Sequence, residues 1–140
     1  MLFFQLLACY VSLSGPPVQA PAKSSLTVDV HNIKELSGNI SVAVFKPCEK
    51  FPDCKPVDGK RIDVKKNRIQ VSFDVEPGEY AVAVYHDVND NGKLDKKLFG
   101  IPKEPYGFSN NYRPLVSAPS FKDCRISVGT GDTAISIKLL

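Results

Sequence analysis

The chain has no block of basic residues interleaved with aromatics, no long helical pattern and no internal repeat. Each absence excludes something. Lys and Arg number 18 against 15 Asp and Glu, and the resulting charge of +3 is spread along the chain, so nucleic-acid binding has no support. The most apolar stretch, Met1 to Leu13, falls short of the roughly 20 apolar residues that cross a bilayer. There are two histidines, His31 and His86, and neither stands at ligand spacing from the four cysteines, which leaves a zinc site without a frame. Ser109 has no evident base. His86 and Asp87 are neighbours on a strand pattern and point to opposite faces, so no Ser-His-Asp site assembles and no catalytic residue is assigned.

What is present begins with a leader. A length of 140 residues suits one domain. The apolar run and the small residues after it read as a signal peptide over residues 1–22, with Ala20-Pro21-Ala22 as the cleavage site, although no Lys or Arg precedes the run. A disordered leader is the alternative. Leu6-Leu7-Ala8-Cys9 also resembles a bacterial lipobox, and Cys9 would then carry a lipid anchor and give the only membrane contact. The expectation is a secreted or periplasmic protein, or one lipid-anchored to a bacterial outer membrane. Residues 14–24 hold three prolines and form a linker. Residues 23–140 then make a single domain, expected to be monomeric. Export permits disulfides. Cys48 and Cys54 bracket a short loop and are the expected pair; Cys124 is either a free buried thiol or the partner of one of them.

The domain reads as strands of period two. Leu26, Val28 and Val30 share one face of the first. Ile40, Val42 and Val44 alternate with Ser41, Ala43 and Phe45, apolar on both faces and so more central. Gly59 to Lys65 alternates through Ile62 and Val64, and Lys66-Asn67 is expected to turn it tightly into Ile69, Val71, Phe73 and Val75. Glu76-Pro77-Gly78 is a turn. Tyr80, Val82 and Val84 then oppose Ala81, Ala83 and Tyr85 on the expected central strand. Residues 119–123 suit one helical turn. Cys124 to Val128 and Thr133 to Leu139 are expected to pair as a hairpin around Gly129–Asp132. The fold class is therefore all-β: an antiparallel seven-stranded β-sandwich, immunoglobulin-like or prealbumin-like, with a long ordered loop after the fifth strand.

Two stretches of that region could carry chemistry. Asp87, Asn89, Asn91 and Asp95 place side-chain oxygens at loop positions 1, 3, 5 and 9, with Gly92 at 6 and Lys93 at 7 offering only its carbonyl. Calcium needs several hard oxygens around a sharply turning backbone, and this spacing provides both. Leu98 stands where an EF-hand has its bidentate Glu, and a strand precedes the loop, so the expected site is strand-borne, closed by Glu104 or Asn110, and weak, on the order of 10⁻⁴ to 10⁻³ M. A metal-free turn fits equally, because Asp and Asn hydrogen-bond their own backbone and Asn91-Gly92 is a strong turn pair. The second stretch is Tyr106, Phe108, Ser109, Asn110 and Asn111. Its amides and aromatics suit a small-ligand or carbohydrate site, or else an ordered loop that caps strand ends.

The run from Gly78 to Asn111, GEYAVAVYHDVNDNGKLDKKLFGIPKEPYGFSNN, resembles the bacterial family called domain of unknown function 2141. The resemblance extends to Ala118–Phe121 and the closing Gly129–Leu139 segment. It implies a small exported protein with no established biochemical activity. The Cys48/Cys54 loop and Cys124 are not general features of that family.

Overall fold

The computed structural model describes residues 14–20, 22–92 and 104–140. Residues 1–13, with the Cys9 lipobox, lie outside them, as do Pro21 of the expected cleavage site and the second part of the acidic loop with Lys93 and Asp95. Eight strands are described: β1 (Ser24–His31), β2 (Asn39–Phe45), β3 (Asp58–Asp63), β4 (Ile69–Val75), β5 (Gly78–Asp87), β6 (Tyr106–Phe108), β7 (Ile126–Val128) and β8 (Thr133–Lys138). A 3-10 turn (Ser109–Asn111) follows β6, and a single helical turn, α1 (Phe121–Cys124), precedes β7. Among the described residues no helix is long and apolar enough to cross a membrane.

The strands form two sheets. One has the order β4-β1-β8; the other runs β3-β2-β5-β6, with β7 also paired to β5. The period-two reading decides the faces correctly. Leu26, Val28 and Val30 of β1 and Val71, Phe73 and Val75 of β4 meet Ile40, Val42 and Val44 of β2 and Tyr80, Val82 and Val84 of β5 in one buried cluster. Alternation places every second side chain inward, so each of these strands contributes three residues to the cluster. β5 is central, as expected, between β2 and the β6/β7 edge.

Its other face is also covered. Phe45, Phe51, Ala81, Phe108 and Cys124 form a second cluster, packed by Phe121, Tyr106 and the Cys48–Cys54 pair. The expected disulfide is present, and Cys124 is a free buried thiol. The disulfide loop folds Phe51 back over the sheet, where its ring meets Phe45 edge-on at 5.1 Å and Phe121 at 6.2 Å. Burial first, and Asp123 second, push the Cys124 thiol up to about 12. Ser120 caps α1: its hydroxyl accepts from the Asp123 N–H, and the Asp123 carboxylate accepts from the Ser120 N–H.

Four connectivity expectations are corrected. The strands number eight rather than seven, because Tyr106–Phe108 is not loop but a strand antiparallel to β5. The set is not wholly antiparallel: β8 runs parallel to β1, with His31 opposite Lys138. Lys66-Asn67 does not close a hairpin; β3 pairs with β2 and β4 with β1, so the chain crosses between sheets there. Cys124–Val128 and Thr133–Leu139 do not pair with each other, because β7 joins β5 while β8 closes the free edge of β1. Cys124 itself ends the helical turn instead of opening a strand. The two expected hairpins fail for one physical reason: a short link fixes that two strands are close, not that they share a sheet.

Candidate functional site

The acidic loop grows from the end of β5. Asp87 is the last strand residue and is fully buried. Its backbone position is held by Gly38, whose φ is +66°; a Cβ there would lie 1.9 Å from the Asp87 carbonyl oxygen. The Asp87 carboxylate folds over its own loop. One oxygen accepts from Asn91 N–H at 3.1 Å, and the other accepts from Gly92 N–H at 2.7 Å and from the Arg61 guanidinium at 3.0 Å. Asn89 Oδ1 adds a bond from Asn91 N–H at 3.3 Å. Arg61 also donates to Asp90 Oδ1 at 2.5 Å, and Asn39 Nδ2 reaches the same oxygen. Asp90 takes the left-handed backbone at φ +55°, and Gly92 at φ +75°. Glu104 Oε1 accepts from Val88 N–H at 3.2 Å, which ties the far side of the loop to its base.

Part of the negative charge at the start of this loop is thus offset from elsewhere in the chain. Arg61 sits on β3, two strands from β5, and bridges Asp87 and Asp90. Arg61 is not legible from the sequence, because no spacing rule links residues on strands separated by β2. Asn89, Asp90 and Asn91 are exposed. Among the described residues no group of three or more His, Cys, Asp or Glu side chains converges as a metal would need. Asn110, offered as a closing ligand, is elsewhere: its amide donates to the Arg125 carbonyl.

The Tyr106–Asn111 segment is the second candidate. Phe108 packs into the outer cluster with Phe51, centroids 6.0 Å apart, and Tyr106 stacks edge-on to Phe108 at 5.9 Å. Ser109 is fully buried, accepting from Val82 N–H and donating to the Cys124 carbonyl. Asn110 and Asn111 both occupy left-handed backbone, at φ +64° and +50°, where Asn is tolerated better than most residues. The Asn111 amide behaves as a strand residue: it donates to the Ser136 carbonyl and accepts from Lys138 N–H, so it covers the open edge of β8. Gly107 lets β6 approach β8; a Cβ would meet Ile137 Cγ2 at 2.6 Å.

This docking leaves a cavity of about 280 Å³ lined by Gly107, Phe108, Asn111, Tyr112 and Leu140 together with His31, Arg113 and Lys138. Three of the residues named from the sequence, Tyr106, Ser109 and Asn110, do not line it. The basic residues went unnoticed in the sequence because they come from β1, from the segment after the turn and from β8. On the same outer face Asp29 is paired with both guanidinium donors of Arg68 and with Ser136. The Arg68 hydrogen bonds hold the Asp29 carboxyl below its usual range, against an opposing effect of burial. His31 Nδ1 shares a hydrogen bond of 3.1 Å with the Ser136 hydroxyl. Asp, Ser and His do meet here, but the serine lies between the other two, so no carboxylate orients the imidazole as a triad requires.

Residues 28–136 match a family described as uncharacterized proteins conserved in bacteria, DUF2141. The chain belongs to this family. No curated protein and no solved structure matches it. The family description names no activity, so any function for its β5–β6 region must be argued from geometry. The disulfide, which the family resemblance did not imply, is more consistent with an oxidising compartment than with the cytosol.

Proposed function

We propose that the protein is an exported, non-enzymatic binding module, a sandwich of immunoglobulin-like or prealbumin-like type, that holds a small ligand beside the Tyr106–Asn111 segment. The observation that carries this reading is the cavity between β6, the 3-10 turn and the ends of β1 and β8. Its backbone frame is set by hydrogen bonds: Asn111 to β8, Leu140 N–H to the Tyr106 carbonyl at 2.9 Å, and Leu139 N–H to the His31 carbonyl at 3.1 Å. A frame fixed in this way lowers the cost of ordering the site on binding. The test is a small-molecule and glycan screen read by backbone amide shifts. Ligands of this site move Gly107, Phe108 and Asn111 saturably; a library that moves none of them removes the reading. Export is tested separately, by mass spectrometry of the mature chain from the periplasm. Cleavage near Ala22 supports simple export, a lipid-modified Cys9 supports anchoring, and an uncleaved cytosolic chain refutes both.

Calcium at the Asp87–Asp95 loop is the second reading, favoured by the full burial of the Asp87 carboxylate beside Asp90. A cation there competes with Arg61 and with the Gly92 N–H. At the weak affinity expected, 1 mM calcium stabilises by about 0.4–1.4 kcal/mol. The melting temperature then rises with calcium in the natural protein and not in Asp87→Ala or Asp95→Ala. A calcium-indifferent melt of the natural protein ends this reading.

A further inference from the structure

We infer that the cavity takes a small anion, a molecule bearing a carboxylate or phosphate group, held by Arg113, Lys138 and His31. This rests on the binding-module reading and names the chemistry of its ligand. Three basic side chains line the cavity, and no Asp or Glu does. The pairing of arginines elsewhere makes the imbalance specific. Of the four arginines, Arg61 meets Asp87 and Asp90, Arg68 meets Asp29, and Arg125 lies 3.8 Å from Glu79. Among the described residues nothing engages the side chain of Arg113, nor that of Lys138. The nearby carboxylate on the outer face, Asp29, is already taken by Arg68.

The fold brings the three groups together. His31 and Lys138 are partners in the parallel ladder, so their side chains leave the same face of the sheet. Val30 and Ile137, their inward neighbours, are fully buried, which commits both to the outer face. Ser136 holds His31 Nδ1 and leaves Nε2 for a ligand. Arg113 precedes Pro114, which restricts its backbone to extended conformations. A guanidinium fork suits the paired oxygens of carboxylate or phosphate, and a lysine ammonium adds a point charge. Phe108, Tyr112 and Leu140 supply apolar wall, so the ligand has a non-charged body as well. A volume of about 280 Å³ sits at the small end of ligand pockets, which start near 300 Å³. That volume suits a single sugar acid or a small phosphate ester.

The test titrates the full chain with inorganic phosphate, with glucuronate and with neutral glucose, following backbone amide shifts. Phosphate or glucuronate is expected to move Gly107, Asn111 and Lys138 saturably, and the stronger of the two identifies the anionic group preferred. Glucose is expected to move nothing. Arg113→Gln and Lys138→Gln each weaken the anion by about tenfold or more, the effect of one charge-assisted hydrogen bond, with amides of β3 unmoved. Glucose binding as tightly as glucuronate would overturn the anion claim while leaving a binding module. Flat titrations with both anions overturn it as well, and the wider neutral-compound screen then judges the module separately. Unchanged affinity in both glutamine variants assigns the anion to other residues and overturns the site.

Discussion

Removing the Asp87 carboxylate should loosen the β5–β6 region, and the loss can be worked out bond by bond. In Asp87→Ala the loop N–H groups of Asn91 and Gly92 lose an acceptor, and Arg61 loses one of its two carboxylates. Both N–H groups belong to exposed residues, so water replaces the lost acceptor and each bond is worth about 1 kcal/mol net. The Arg61 side chain is 42% exposed, and a pair screened to that degree adds about 0.5 kcal/mol. The total is about 2.5 kcal/mol. For a folded part of this size each kcal/mol shifts the midpoint by about 4 °C, so the melt falls by about 10 °C. Arg61→Ala leaves the buried carboxylate with its two N–H donors and no cation.

The pair, not either residue alone, is the claim. Urea denaturation of Asp87→Ala, Arg61→Ala and the double variant closes a thermodynamic cycle. A coupling of about 0.5–1 kcal/mol is expected, since the same guanidinium contact is removed in both single variants. A double variant whose loss equals the sum of the single losses within about 0.3 kcal/mol refutes the view that Arg61 clamps the loop. The cycle also speaks to calcium. If the guanidinium occupies the position a cation would take, Arg61→Ala gains a calcium-dependent rise in melting temperature larger than that of the natural protein.

Three further outcomes are expected. Gly38→Ala should cost about 3 kcal/mol or more, because left-handed backbone alone costs an L-residue roughly 1–2 kcal/mol and the new Cβ meets the Asp87 carbonyl; urea midpoints measure it, and a change below about 1 kcal/mol would show that the approach of the two chains is not obligatory. Asp29 has its carboxyl held down by Arg68, so its contribution is fully present above the unfolded value near 3.9 and is lost as pH falls through the lower folded value; Arg68→Ala should therefore lower stability at neutral pH, leave it nearly unchanged once pH is below the folded value, and so flatten the acid limb of urea midpoint against pH. Cys124 should stay unlabelled by iodoacetamide up to about pH 9 in the folded protein and label fully in urea, read by peptide mass spectrometry, because burial keeps it a thiol and only the thiolate reacts.

What the sequence made legible was local. Period two located seven of the described strands and their inward faces, because a side chain's face depends only on its own strand's parity. The eighth, Tyr106–Phe108, is too short to show a period, and its tolerance for Gly107 comes from Ile137 on a distant strand. Pairing was less legible than existence. Gly129–Asp132 reads as a hairpin link, yet β8 finds a better partner in β1, whose edge would otherwise be open.

The acidic loop shows the same limit in its chemistry. A calcium loop and a self-bonded turn place demands on one set of positions: a carboxylate first, a side-chain oxygen third, and a glycine sixth where the backbone must turn sharply. Asp87, Asn89 and Gly92 satisfy both, and here the Asp87 and Asn89 oxygens accept from Asn91 N–H while Gly92 returns its own N–H to Asp87. Local spacing cannot separate the two because it specifies where the oxygens are and not what neutralises them. In this fold the neutralising group is reached sideways: Asn39 of β2 pairs with Asp63 on one side and Asp87 on the other, which sets Arg61 within one long side chain of the carboxylate. Whether this loop takes a metal should therefore depend on Arg61, two strands away, and the calcium response expected of Arg61→Ala tests that dependence. A chain of this family with an apolar residue there would present the Asp87 oxygens without their internal cation, and it is in such a chain that calcium should bind most strongly.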